Sequence, residues 1–172
     1  MKKRTLFVTQ AAVIAAIYVV LSFVVNLIPG NLNYGLVQFR LAEVLCVLPA
    51  FIPAAIPGLF IGCLITNLFS NAGLPDLILG SFATLVAALL TYWFRKYKWF
   101  APVPPIVVNA LVIGPMLYFY IPEIFEGLSS YAPSIVILIS VGAVALGEAV
   151  VCMGLGYPLM KLIGKNRRIL GE

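Results

Sequence analysis

The 172-residue sequence contains no histidine, and only 10% of its residues are charged. Without imidazole it lacks the commonest transition-metal ligand and the commonest acid–base catalyst near neutral pH. Its three cysteines, Cys46, Cys63 and Cys152, sit in separate apolar segments with no CxxC spacing. We read them as small packing residues and expect no metal and no cofactor. There is no GxxxxGK[ST] loop to cradle a nucleotide and no GxSxG elbow, so ATP hydrolysis and serine-hydrolase chemistry are not expected of this chain. The six acids are far apart in sequence, which leaves an intramembrane enzyme as the weakest reading. The net charge of +5 comes from basic residues that form no continuous face. It therefore points away from nucleic acid and toward membrane topology.

What is present is apolar. Hydrophobic residues make up 63% of the chain and mean hydropathy is +1.10, against roughly 45–50% apolar for a soluble domain. This composition predicts an all-α integral membrane protein. At roughly 20 residues per crossing the chain holds about six transmembrane helices, read as one transmembrane domain over 1–172. The expected spans are 5–28, 36–51, 58–69, 76–94, from the prolines at 102, 104 and 105 to 121, and 134–162. The opening MKKR is followed by no small-residue cleavage site and is read as the start of a retained first span. Pro49, Pro53 and Pro57 break the second span. The third is short, so spans two and three read equally as a re-entrant hairpin.

Orientation follows from counting. With both termini cytoplasmic, ten of the eleven basic residues fall on the cytoplasmic side, and Arg40 is the exception. It is left in the outer half with Asn31, Asn33, Tyr34, Asn67, Asp76, Tyr118, Glu123, Glu126 and Tyr131. An outward-facing pocket is the simplest consequence.

Three groups stand out within it. Arg40 and Glu43 are three apart, so on a helix they share a face; they read either as a mutually neutralising pair or as part of a site. Glu148 lies roughly 21 Å into its helix, near mid-membrane, where a carboxylate needs a partner or a ligand. Asp76 follows Pro75 and reads as a helix-start acid or as a ligand group, with Gly80, Thr84 and Ala87 continuing its face. On the first span, Ala11 with Ala15 and Ala12 with Ala16 make small-xxx-small pairs that invite another helix. The spacing itself favours a helix of the same chain.

Five segments, VQFRLAEVLCVLP (37–49), IPGLFIGCLITNLF (56–69), PDLILGSFATLVAALLTYWFRK (75–96), APVPPIVVNALVIG (101–114) and SVGAVALGEAVVCMGLGYPL (140–159), closely resemble the QueT family. Its members are substrate-binding S components of energy-coupling factor (ECF) transporters assigned to queuosine precursors. The resemblance implies six membrane helices and an outward pocket for a 7-deazaguanine. It also implies docking of the first helix, through Ala11, Ala12, Ala15 and Ala16, onto a T component driven by two cytoplasmic ATPases. For such a ligand, Glu148 or Glu43 can accept the paired N–H donors, and Asn67 or Asn109 can add amide contacts. Arg40 can donate to the ring carbonyl or hold Glu43. Tyr34, Phe39, Tyr118 or Tyr120 can stack on the ring, and Asp76 can receive a side-arm amine. By orientation Asn109 lies toward the cytoplasmic end of its span, where it can also serve a helix end. An S component for another vitamin-like or purine solute is the nearest alternative.

Overall fold

The computed structural model describes residues 2–26, 37–70 and 73–165. Among these every regular element is helical. Helix α1 is Lys2–Asn26. A 3₁₀ helix, Leu41–Ala50, follows, then α2, Ala55–Asn67. A π turn, Asp76–Gly80, runs directly into α3, Ser81–Trp93. Helix α4 is Val103–Tyr120, and a 3₁₀ turn, Pro122–Leu128, caps its end. Helices α5, Pro133–Gly154, and α6, Gly156–Lys165, are separated only by Leu155.

Four helical stretches are long and apolar enough to cross a membrane, at 3–25, 76–93, 98–120 and 133–165. The 3₁₀ helix and α2 are apolar but shorter. Large apolar side chains such as Phe7, Val20, Phe82, Leu111 and Leu138 point outward, whereas Glu43, Thr84, Thr91, Asn109, Ser140 and Glu148 are buried. That distribution suits a lipid environment, in which polar groups must find partners inside the protein.

Neighbouring helices pack in chain order, α1 on α2, α2 on α3, α3 on α4 and α4 on α5. The 3₁₀ helix packs against α1, α2, α3, α5 and α6, and nine of its ten residues are buried. The expected second span is thus corrected in kind. From 41 to 50 it is a 3₁₀ and not an α-helix, and residues 38–40 enter it without regular structure. Pro49 lies inside that helix, where in an α-helix its ring would strike the carbonyl of Leu45. At about 2.0 Å per residue the ten residues rise roughly 20 Å, against roughly 15 Å as α.

The alanine motif divides between two faces. Ala15 is buried and Ala11 half-buried, and both face glycines of α2: a Cβ at Gly58 would lie 2.7 Å from the Ala11 carbonyl oxygen, and one at Gly62 3.0 Å from that of Ala15. Gly58 and Gly62, four apart, therefore let α2 lie directly on α1. Ala12 and Ala16 are exposed on the opposite side.

Candidate functional site

Three carboxylates and one guanidinium are buried in the interior: Glu43 at 0%, Asp76 and Glu148 at 1% and Arg40 at 8% exposure. They do not pair as the spacing of Arg40 and Glu43 suggests. Arg40 precedes the 3₁₀ helix at its N-cap position, and its guanidinium turns to Asp76, with Nη2 3.0 Å from Oδ1. Ser70 donates to the other Asp76 oxygen. Asn67, at the end of α2, donates to the Asp76 backbone carbonyl at 3.0 Å and approaches the Cys63 sulfur at 3.3 Å. A Cβ at Gly80 would come within 2.6 Å of Asp76 Oδ1 and 2.8 Å of Asn67 Nδ2. Only glycine leaves the acid room to turn back over its own π turn. Asp76 thus opens its helix as the sequence suggests, with its side chain committed to Arg40.

Glu43 is held by neutral donors. The Tyr18 hydroxyl of α1 donates to Oε1 at 2.6 Å, and the Cys46 thiol, one 3₁₀ turn on, donates to Oε2 at 2.7 Å. Residues three apart eclipse on a 3₁₀ helix, which places Cys46 over Glu43. Thr84 Oγ1 of α3 lies 3.3 Å from both Glu43 Oε1 and Cys63 Sγ. Its single proton serves one of them at a time.

Glu148 receives Asn109 Nδ2 at 3.0 Å and the Cys152 thiol at 3.6 Å. Cys152 also approaches the Glu43 backbone carbonyl at 3.5 Å, so a thiol joins the surroundings of the two glutamates. Asn109 belongs to this cluster and does not serve as a helix-end group. The three cysteines are free and buried as expected, but packing alone does not describe them, because each thiol touches the polar cluster.

The remaining candidates separate from this cluster. Tyr118 packs in an aromatic group with Phe119 and Phe125, ring centroids 5.3 and 6.0 Å away, beside a cavity of about 530 Å³ that Glu126 and Tyr131 also line. Tyr120 is exposed. Phe39 is half-buried and lines an apolar groove with Val25, Leu41 and Val150. Tyr34, with Asn31 and Asn33, lies outside the described residues. Tyr18 and Gln38 are buried polar residues that sequence reasoning missed as site candidates, whereas Thr84 lies on the face of Asp76 that it singled out. Tyr18 sits amid an apolar stretch, so nothing local distinguishes it from core; Gln38 stood only two residues before Arg40.

Among the described residues the Arg40–Asp76 contact is the one ion pair. Three buried acids therefore face one buried cation, leaving Glu43 and Glu148 with hydrogen-bond donors but no ion pair of their own. The same donors, and the surrounding backbone pattern, lie inside a longer match: the QueT transporter family model aligns with residues 8–165.

The chain belongs to the QueT transporter family.

A curated relative, the queuosine precursor transporter QueT of Lactococcus lactis subsp. cremoris (strain MG1363), is 34% identical over 98 residues. The match covers 56% of this chain and 56% of the relative, so it spans little more than half the length of either. No solved structure matches. With its membrane-length apolar helices, this QueT family member is a multi-pass cell-membrane protein.

Proposed function

We propose that this chain is the membrane-embedded substrate-binding S component of an ECF-type importer. It captures a queuosine precursor, a 7-deazaguanine such as queuine or its aminomethyl precursor, from outside the cell. A T component and two separate cytoplasmic ATPases, none of which this chain contains, supply the energy. The observation that carries the reading is the pair of buried glutamates that form no ion pair. A 7-deazaguanine presents a ring N–H and an exocyclic amine side by side, which one carboxylate accepts in bidentate fashion. An aminomethyl arm adds a second positive charge to a cluster in which three acids face one guanidinium.

In this reading Glu148 and Glu43 bind the ligand, and Asn109 assists Glu148. Arg40, Asp76 and Asn67 brace the site, while Tyr118 belongs to the approach and Tyr34 remains a stacking candidate. Ala12 and Ala16 form the free half of the alanine motif and dock on the T component; Ala11 and Ala15 seat α1 on α2 behind them. Six crossings with both termini cytoplasmic remain the preferred topology. Residues 37–50 extend up to roughly 33 Å when 3₁₀ rise is added to four extended residues, enough for a hydrocarbon core of about 30 Å.

The test is a calorimetric and thermal-shift titration of the purified protein in detergent with queuine, its aminomethyl and nitrile precursors, guanine and riboflavin. Tight, selective binding of a 7-deazaguanine is expected to raise Tm by mass action. Glu148→Gln should weaken it by roughly 10- to 100-fold, the worth of a charge-assisted hydrogen bond. A shift by another solute alone would overturn the substrate and leave the S-component reading standing.

A further inference from the structure

Two buried side-chain atoms among the described residues have no hydrogen-bond partner, Gln38 Oε1 and Asn109 Oδ1. Both are carbonyl oxygens, and both belong to residues set against the same stretch of α5. Asn109 touches Glu148 directly through Nδ2. With Nδ2 donating to Glu148, the amide oxygen is turned away and left without a donor. Gln38, 1% exposed, is pressed onto α5 by its backbone: a Cβ at Gly147 would lie 2.0 Å from the Gln38 carbonyl oxygen. Glycine at 147, the neighbour of Glu148, is what admits the unwound stretch before Arg40 so close to the helix.

Buried acceptors without donors are rare in folded proteins, because water can no longer satisfy them. Here the two belong to residues that meet neighbouring positions of α5, Gln38 through its backbone at Gly147 and Asn109 through its amide at Glu148, which forms no ion pair. The local inventory is rich in acceptors and poor in donors. A solute that complements it carries several N–H groups along one edge.

We infer that Gln38 and Asn109 are specificity-determining residues that read the N–H groups of a free amino-lactam base. This rests on the reading of the cluster as a 7-deazaguanine site. Glu148 takes the lactam N–H and one hydrogen of the exocyclic amine. Asn109 Oδ1, beside it, takes the second amine hydrogen. Gln38 Oε1 takes the N–H of the five-membered ring. The site therefore selects the free base, since a glycosylated base has no hydrogen on that nitrogen.

The experiment measures affinity by calorimetry for three ligands: 7-deazaguanine, 7-deazahypoxanthine, which lacks the exocyclic amine, and 2-aminofuro[2,3-d]pyrimidin-4-one, in which a ring oxygen replaces the pyrrole N–H. The wild-type protein should bind each analogue roughly 10- to 100-fold more weakly than 7-deazaguanine. Gln38→Met, which keeps length and removes the acceptor, should weaken 7-deazaguanine binding to a similar degree and abolish discrimination against the furo analogue alone. A folded Gln38→Met protein that binds 7-deazaguanine as wild type does, with discrimination intact, overturns the role of Gln38 and leaves the proposed function in place. Equal wild-type affinity for all three ligands overturns the inference without any variant. Failure of the wild-type protein to bind any 7-deazaguanine, while another solute stabilises it, removes the proposed function and this inference with it.

Discussion

Asp76 and Glu148 are equally buried acids with different surroundings. Asp76 has a guanidinium at 3.0 Å and a serine hydroxyl on its second oxygen, so its charge is matched within the fold. Glu148 has one amide and one distant thiol, and its nearest acidic neighbour, Glu43, is likewise held by neutral donors only. In the proposed function, burial alone does not separate a structural acid from a ligand-binding one; the sign of the partner does. A carboxylate closed by a cation is part of the scaffold. One that has only neutral donors retains its strongest interaction for something that arrives.

Substitutions can break that contrast. The largest effect is expected for Asp76→Ala, which strands the Arg40 guanidinium in the interior and should cost about 3–5 kcal/mol. Thermal unfolding in detergent would show it, and the double variant Arg40→Met, Asp76→Leu should recover much of the loss. If Asp76→Ala unfolds no earlier than wild type, the scaffold role of the pair is wrong. Glu148→Gln should do the reverse, leaving Tm without ligand within a few degrees of wild type while removing most of the ligand-induced shift. A large Tm loss in the absence of ligand would make Glu148 a scaffold residue like Asp76.

Thr84→Val, nearly isosteric, removes a hydroxyl shared between Glu43 and Cys63. About 0.5–1.5 kcal/mol of stability should go with it, measured as a shift in the unfolding midpoint. The smallest effect is expected on the lipid-facing side of α1, where Ala12→Leu should stay within about 0.5 kcal/mol. The same change at Ala15, packed against Gly62, should cost about 1–3 kcal/mol by overpacking. Equal effects at the two positions would contradict the division of the motif.

Much of this was legible in the residue order. Apolar runs of membrane length and the clustering of basic residues between them give the class. The rarity of acids makes Glu43, Asp76 and Glu148 conspicuous, since each breaks a run otherwise fit for lipid. The face Asp76, Gly80, Thr84 and Ala87 is buried as helical spacing suggests. Partner choice was not legible: Arg40 pairs with a residue 36 positions away and not with one three positions away, because only the packed fold brings the start of α3 to it. Tyr18 was hidden for the same reason, as a phenol in an apolar helix looks like core until its hydroxyl is seen on Glu43. The 3₁₀ helix left a trace that helical reading passed over. Arg40, Glu43, Cys46 and Pro49 recur at intervals of three, the period of that helix and not of an α-helix.

That interval makes the central segment a ruler with threefold marks. Losing one residue between Glu43 and Cys46 would rotate one side of the helix against the other by about 120° and carry Cys46 away from Glu43. Losing three would restore the angle but shorten the segment by about 6 Å, more than any hydrogen bond spans. Replacements at positions off this file change packing by degrees, whereas insertions and deletions within 41–50 dismantle the file outright. Over evolutionary time, length variation in such a chain is expected to collect in the connections around this segment and to leave its ten residues uninterrupted.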